Sequence, residues 1–124
     1  ELKLDVAFPA TADHAPVTLD LCEDTANDKR FRITLDPSTK KITIDRSRCG
    51  IPFAEDFGTT RTLTVEQMNA VKLQIFVDTS SIEIFVNDGE GTFTSRVFPK
   101  AGETGLSLAA GSTIDYSLEI WELA

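Results

Sequence analysis

The sequence predicts an antiparallel β-sandwich of about ten short strands, and three observations support this fold class. Apolar and polar residues alternate with a period of two through most of the chain, which is the pattern of strands buried on one face. Turn-forming residues separate these segments at short intervals, and only one short segment has helical character. A length of 124 residues, of which 41% are hydrophobic, suits a single domain with its own core.

The alternating segments follow one another along the chain. In the first half, the predicted strands are Leu2–Phe8, Val17–Cys22, Phe31–Leu35 and Ile42–Asp45. In the second half, they are Val71–Val77, Ile82–Asn87, Thr92–Phe98, Gly105–Ala109 and Ile114–Leu123. The helix candidate is Thr64–Asn69. Strands of this length, joined by turns, are expected to pair as antiparallel neighbours in two packed sheets.

Two consecutive turns predict the register of the central hairpins. If Asp78 and Ser81 close the first turn, the facing pairs are Val77 with Ile82, Ile75 with Ile84, and Leu73 with Val86. The Asp88-Gly89 dipeptide suits a two-residue type I′ turn, which sets Ile84 against Phe93 and Glu83 against Thr94. This register places apolar pairs on one face, which is therefore expected to be buried.

The opposite face of these hairpins is unusual for a solvated surface because it carries three phenylalanines. Its residues are Lys72, Gln74, Phe76, Glu83, Phe85, Thr94, Arg96 and Phe98. A second part of a larger protein or a ligand could cover this face. A loop of the same domain could also cover it, and the sequence leaves both interpretations open.

A basic cluster is predicted beside the first long hairpin. The turn at residues 36–39 sets Leu35 against Ile42, Ile33 against Ile44, and Arg32 against Asp45. Arg30, Arg32, Arg46 and Arg48 then lie close together in an acidic protein. Their guanidinium groups could hydrogen-bond carboxylates or sugar hydroxyls of a ligand. Alternatively, they form surface salt bridges with Asp45, Glu55 or Asp56.

Charge and the scarce residue types exclude several classes of function. Twelve basic and 20 acidic residues give a net charge of −8, which argues against binding of nucleic acid or an anionic membrane. No apolar run has the length of a membrane span. With one histidine, His14, and two cysteines, Cys22 and Cys49, the sequence predicts no zinc site, catalytic triad or cofactor. The cysteines could pair or remain as buried thiols.

Three segments resemble the C-terminal β-sandwich of glycoside hydrolase family 32. The longest is the hairpin segment 76–90, followed by Thr94-Ser95-Arg96 and Phe98-Pro99. The second is Asp45-Arg46-Ser47-Arg48-x-Gly50, similar to the family's Asp-Arg-Ser/Thr-x-x-Gly loop, and the third is the closing segment 118–123. The resemblance implies a jelly-roll or concanavalin-like sandwich spanning residues 1–124 as a single domain.

The resemblance also implies a longer parent enzyme, in which a five-bladed β-propeller carries the active site and precedes the sandwich. The family's catalytic motifs Asn-Asp-Pro-Asn, Arg-Asp-Pro and Glu-Cys do not occur in this sequence. No catalytic residue is therefore assigned. A chain that opens on Glu1 without an initiator methionine is expected to be a piece of such a protein.

Two functions are compatible with this resemblance. The first is a noncatalytic module that buttresses the N-terminal propeller of a sucrose, sucrose 6-phosphate or fructan hydrolase through Phe76, Phe85, Arg96 and Phe98. The second is a module that binds terminal fructose through Asp45, Arg46, Arg48, Asp78, Ser81 and Glu83. Tyr116 and Trp121 are expected in the core rather than at a sugar site.

A third hypothesis, in which this chain is itself an enzyme, is disfavoured. Asp78 and Glu83 could be imagined as a catalytic carboxylate pair, but carboxylates beside a hairpin turn are far more often structural. The absence of glycosylation sequons and the low cysteine content favour a bacterial cytosolic parent over a secreted one.

Overall fold

The structure, a computed structural model, describes residues 1–8, 15–49, 60–78, 80–87, 89–97, 105–111 and 114–121. Ten strands account for most of these residues. In chain order they are β1 (Leu2–Ala7), β2 (Val17–Asp24), β3 (Lys29–Asp36), β4 (Lys41–Arg48), β5 (Thr60–Thr64), β6 (Ala70–Val77), β7 (Ser81–Val86), β8 (Gly91–Arg96), β9 (Gly105–Ala110) and β10 (Asp115–Ile120). A short 3₁₀ helix, Thr25–Asn27, joins β2 to β3.

The strands form two antiparallel sheets of five strands each, which confirms the predicted fold class. Sheet A has the strand order β10-β1-β6-β7-β8, and sheet B has the order β5-β4-β3-β2-β9. Gly91 of β8 approaches Leu63 of β5 so closely that a Cβ atom at Gly91 would lie 2.3 Å from Leu63 Cδ2. This contact places the β8 edge of sheet A against the β5 edge of sheet B.

The hydrophobic core lies between the inner faces of the two sheets. Alternate residues of each central strand point inward, as the period of two predicts. The largest fully buried side chains include Leu4, Leu19, Phe31, Ile33, Leu35, Ile42, Leu73, Ile75, Ile82 and Ile84. Burial of each such side chain contributes about 1.5–3 kcal/mol, so this core is the main source of stability.

The predicted hairpin registers are confirmed. Between β6 and β7, Leu73 faces Val86 and Ile75 faces Ile84. Between β7 and β8, Ile84 faces Phe93. The β3–β4 hairpin pairs Arg32 with Asp45 and carries Ile33 opposite Ile44 and Leu35 opposite Ile42. In each hairpin the apolar pairs are buried. A register shifted by one residue would turn these pairs toward solvent, so their burial selects the observed register.

The interpretation of residues 60–69 was wrong in two respects. Residues 60–64 form β5, a strand that the sequence analysis did not identify, because Leu63 is its single aliphatic residue and no alternation is visible. Thr64–Asn69 is not a helix: Thr64 ends β5, and residues 65–69 form an irregular connection to β6. Val65 and Met68 are buried there, so their spacing reflects a loop that packs on the core.

The turn between β7 and β8 keeps the predicted register but not the predicted type. The Val86 carbonyl oxygen accepts hydrogen bonds from the N–H groups of both Gly89 (3.1 Å) and Glu90 (2.9 Å). Asn87 and Gly89 have φ values of 50° and 118°, in the left-handed region that asparagine and glycine tolerate best. The loop is therefore a four-residue connection closed by the Val86–Gly91 pair.

Both cysteines are buried, and in the described structure no disulfide bond joins them. Cys22 lies at an irregularity between Leu21 and Asp24, where the β2–β3 register shifts. Its φ of 51° accommodates the bulge and turns the side chain out of the simple alternation of β2. Within the described ranges, no helix is long and apolar enough to cross a membrane.

Candidate functional site

The candidate residues fall into two sets on different sheets. Asp78, Ser81 and Glu83 lie on β7 and the turn before it, in sheet A. Asp45, Arg46 and Arg48 lie on β4, in sheet B. The sandwich core separates the two sheets, so the structure offers two separate candidate sites rather than one.

A groove at one end of sheet A, which includes part of its outer face, brings the first set together. Its volume is about 810 Å³, within the range of ligand sites in proteins. Asp78 and Ser81 lie at one end, where the Asp78 N–H donates to the Ser81 carbonyl oxygen at 2.9 Å. The groove is lined by Glu1, Leu2, Phe76, Val77, Asp78, Ser81, Glu83 and Trp121.

The groove combines carboxylates with aromatic rings. Phe76 lies directly opposite Glu83 in the β6–β7 ladder, so both side chains are on the outer face. The Glu1 carboxylate accepts a hydrogen bond from Gln74 Nε2 at 2.6 Å on the same face. Carboxylates that can each hold two hydroxyls, next to an aromatic surface, are groups that suit a sugar.

Trp121 lies at the rim of this groove, and its expected core position was wrong. Its indole is 41% exposed, and the Lys3 ammonium lies 5.5 Å from the ring centroid, which is cation–π geometry. Its backbone exchanges hydrogen bonds with Glu1, at 2.7 Å and 2.8 Å. Tyr116 is also exposed, at 60%, because β10 is an edge strand with a neighbour in sheet A on one side only.

The residues predicted to face a propeller share this outer face. Phe76 and Phe85 make an edge-to-face contact, with centroids 5.9 Å apart and an interplanar angle of 85°. Phe85 remains 37% exposed. Arg96 ends β8 opposite Ser81 and is exposed. Phe98 lies outside the described residues, so its place on this face stays a prediction.

On sheet B, three of the four arginines of the basic cluster pair with aspartates. Arg32 donates two hydrogen bonds to Asp20, from Nε to Oδ1 at 2.8 Å and from Nη2 to Oδ2 at 2.9 Å. Arg30 and Arg48 both pair with the exposed Asp28. Asp45 accepts a hydrogen bond from the Ser47 N–H at 2.8 Å. A pocket of only about 40 Å³ lies among these groups, too small for a sugar ring.

The electrostatics of the cluster follow from these pairs. Two hydrogen bonds to Asp20 raise the pKa of Arg32 above its ordinary value, because they favour the charged guanidinium. The hydrogen bond from Arg30 and the nearby charge of Arg48 lower the pKa of Asp28. Arg30, Arg32 and Arg48 therefore form salt bridges, with Asp20 and Asp28 as their partners. The expected partners Glu55 and Asp56 lie outside the described residues.

Comparison with known proteins identifies the family. Residues 1–122 match the family described as "Glycosyl hydrolases family 32 C terminal". The chain belongs to this family. In the curated proteins, a sucrose-6-phosphate hydrolase of Streptococcus mutans is 43% identical over 79 residues, which cover 64% of this chain and 16% of that protein. An extracellular exo-inulinase of Aspergillus awamori is 31% identical over 127 residues, which cover 98% of this chain and 24% of that protein.

Solved structures have the same architecture as this family 32 C-terminal domain. The exo-inulinase of Aspergillus awamori superposes with a TM-score of 0.77 at 27% identity, covering 94% of this chain and 24% of that one. A sucrose-6-phosphate hydrolase of Lactobacillus gasseri has a TM-score of 0.77 at 29% identity, covering 94% and 23%. The chain thus spans about a quarter or less of the length of these family 32 relatives.

Sequence reasoning missed several residues that shape the two sites of this family 32 domain. Asp20 was not identified as the partner of Arg32, because the bulge after Leu21 hides the β2–β3 register. Asp28 was missed because it lies in the connection between the same two strands. Trp121 and Glu1 join the groove through pairing of the first and last strands, which no local pattern specifies.

Proposed function

We propose that this chain is the noncatalytic C-terminal module of a β-fructofuranosidase-type hydrolase, preceded in the parent polypeptide by a catalytic β-propeller. The parent would hydrolyse sucrose, sucrose 6-phosphate or a fructan, and the module would buttress the propeller. Family membership supports this proposal, together with the names of the relatives. Residues 1–124 would form the whole of the module.

The observation that carries the buttressing role is the aromatic pair on the outer face of sheet A. Phe76 and Phe85 gain little from facing water, and Phe85 is among the few large apolar side chains that the described residues leave exposed. Exposed aromatic residues beside a charged rim are typical of surfaces that contact another domain. Arg96, at the end of the neighbouring strand, would supply part of that rim.

The first experiment compares the parent polypeptide with and without residues 1–124, or with the module supplied by coexpression. We expect loss of the module to lower both the melting temperature of the catalytic domain and its hydrolytic activity on sucrose. Full activity and an unchanged melting temperature without the module would contradict the proposal.

A second experiment locates the contact. Phe85→Ser should lower the stability of the isolated module by about 0.5–1.5 kcal/mol, because it removes the edge-to-face contact with Phe76 from a side chain that is only 37% exposed. In the parent, the loss should be larger by about 1 kcal/mol, which lowers the melting temperature of a large protein by a further ~2–4 °C. Thr34→Ser, on the outer face of sheet B, is the matched control and should have no such effect in either protein.

The groove supports a second candidate function, binding of a terminal fructose. Three of the six candidate residues, Asp78, Ser81 and Glu83, line one cavity together with Trp121 and Phe76. The groove therefore offers both hydroxyl-binding groups and a surface for ring stacking. Sheet B offers fewer groups to bind a sugar, because Arg30, Arg32 and Arg48 are paired with aspartates around a small pocket.

Titration separates the two candidate sites. If the groove binds sugar, levan or fructose should shift the NMR resonances of Trp121 and Ser81, and Trp121→Ala should abolish the shifts. Arg48→Ala should leave them unchanged. Shifts confined to Asp45, Arg46 and Arg48 would move the site to sheet B, and the absence of any shift would remove this function.

A further inference from the structure

The edge of sheet A formed by β10 carries large apolar side chains that the described part of the molecule leaves uncovered. Tyr116 and Ile120 are 60% and 59% exposed. They lie opposite the buried residues Val6 and Leu2, so both belong to the inner face of the sheet. An exposed, apolar edge strand is a template for pairing with another strand.

The outer edge of β10 also carries backbone N–H and C=O groups that a second strand could pair with. Glu1 and Trp121 exchange both of their hydrogen bonds, so the odd-numbered residues of β10 direct their N–H and C=O groups toward β1. The groups of Tyr116, Leu118 and Ile120 consequently point away from β1, along the outer edge of the sheet. In the described structure, sheet A ends at this strand.

We propose that β10 pairs antiparallel with β10 of a second copy of this chain, about a two-fold axis through Leu118. This register sets Tyr116 opposite Ile120 of the second copy, and Leu118 opposite its own counterpart. Each of these three pairs would exchange two backbone hydrogen bonds, about six in all. The same patch serves both copies, as a two-fold interface requires.

Charge distinguishes this register from its neighbours. Centring the axis on Ser117 would set Asp115 opposite Glu119, and centring it on Glu119 would oppose two glutamates; like charges directly opposite each other are destabilising. The register centred on Leu118 sets Glu119 opposite Ser117 and Asp115 opposite Trp121. It therefore pairs the apolar residues and separates the acidic ones in a chain of net charge −8.

Sedimentation velocity of the full chain tests the association. We expect a species of twice the 13.6 kDa monomer mass, which the double variant Tyr116→Lys/Ile120→Lys converts to monomer while keeping its circular dichroism spectrum. Phe85→Lys, an exposed aromatic residue on the outer face of the same sheet, is the matched control and should remain dimeric. A wild-type chain that stays monomeric at millimolar concentration would overturn the proposal.

Cysteine crosslinking tests the register. Leu118→Cys should form a disulfide-linked dimer on oxidation, because the two Cα atoms would lie about 5.5 Å apart. Asp115→Cys should not, since its two copies would be separated by six residue steps, about 20 Å. If Leu118→Cys fails to fold, an equimolar mixture of the exposed-site variants Ser117→Cys and Glu119→Cys should crosslink to each other. A dimer in which Asp115→Cys crosslinks as readily as Leu118→Cys would contradict this geometry.

Discussion

At the scale of single residues, the ion pair between Asp20 and Arg32 contains the one buried carboxylate among the described residues. The Asp20 side chain is 8% exposed although it points to the outer face of sheet B, because the Arg32 guanidinium covers it. A buried carboxylate is tolerated only when its charge is paired and hydrogen-bonded. Arg32 meets both conditions with a two-point contact.

Removal of Arg32 should therefore cost more than removal of a neighbouring arginine. We expect Arg32→Ala to lower the free energy of unfolding by about 1–3 kcal/mol, since the Asp20 carboxylate would lose both hydrogen bonds. Arg48→Ala, which breaks an exposed pair with Asp28, should cost about 0–1 kcal/mol. Urea denaturation of both variants measures the difference, and equal losses would contradict a special role for the Asp20 contact.

Glu90 also has a defined electrostatic role. Its carboxylate accepts hydrogen bonds from the Asn87 side-chain amide at 2.9 Å and from the Glu66 N–H at 3.0 Å. These bonds lower the pKa of Glu90 below its ordinary value of 4.5, with the Asn87 bond as the larger cause. The stability that they provide is present above pH 4.5 and is lost as the pH falls through the lower, folded-state pKa.

Glu90→Gln tests this pH dependence, because glutamine can accept the same hydrogen bonds but cannot titrate. The stability difference between wild type and the variant should be constant from pH 7 to about 5 and should decline as the pH falls below 4.5. Chemical denaturation at several pH values measures it. Glu66→Gln is the charge-matched control, since Glu66 contributes only its backbone to this contact. A Glu90→Gln difference that stays constant down to pH 3 would contradict the assignment.

At the scale of secondary-structure elements, Asn87 joins the β7–β8 hairpin to β6. Its backbone N–H donates to the Lys72 carbonyl at 2.8 Å, its Oδ1 accepts from the Lys72 N–H at 2.9 Å, and its Nδ2 donates to Glu90. The left-handed backbone at Asn87 permits all three contacts at once. The turn therefore holds three strands together rather than two.

Two substitutions separate the contributions of the side chain and the backbone at this position. Asn87→Ala should lower the free energy of unfolding by about 2–4 kcal/mol, because it removes the side-chain hydrogen bonds and leaves a Cβ in the left-handed region. Asn87→Gly should be less destabilising by about 1 kcal/mol, since glycine adopts this conformation without strain. Thermal or urea denaturation checks both, and a glycine variant as unstable as the alanine variant would argue against backbone strain.

The elements also show where sequence reasoning succeeds. Hairpin registers were predictable because neighbouring strands are close in the chain and their apolar pairs must share one face. β5 was not predictable from hydrophobic alternation, since three of its five residues are threonines and Leu63, which faces Ile42 of β4, is its single aliphatic residue. The connection at residues 65–69 was wrongly predicted as a helix, because the spacing of Val65 and Met68 reflects a loop that buries both side chains.

At the scale of the whole molecule, long-range pairing decides what the sequence could not show. β1 lies between β6 and β10, so residues far apart in the chain form the groove on sheet A. The candidate residues Asp78, Ser81 and Glu83 were identified from a local motif. The contribution of Glu1 and Trp121 depends on strand pairing across nearly the whole chain, for which no turn provides a register.

The pairing of Glu1 with Trp121 predicts tolerance of circular permutation. A short Gly/Ser linker joining Ala124 to Glu1, with new termini between the exposed residues Ser38 and Thr39, should preserve the far-ultraviolet spectrum and cooperative unfolding. A permutant opened between Ile33 and Thr34, within the buried strand β3, is the control and should not fold. Circular dichroism during thermal melting distinguishes them, and failure of the first permutant would show that continuity of the β3–β4 turn is essential.

The pairing of Glu1 with Trp121 also determines how the molecule responds to tension. A force that separates Glu1 from Trp121 acts across the β1–β10 ladder, perpendicular to the strands, and loads its hydrogen bonds one pair at a time. Strands that are pulled along their axes instead share the load over many bonds. At low force, β10 should therefore detach from β1 first, while the pairing of β1 with β6 is still intact.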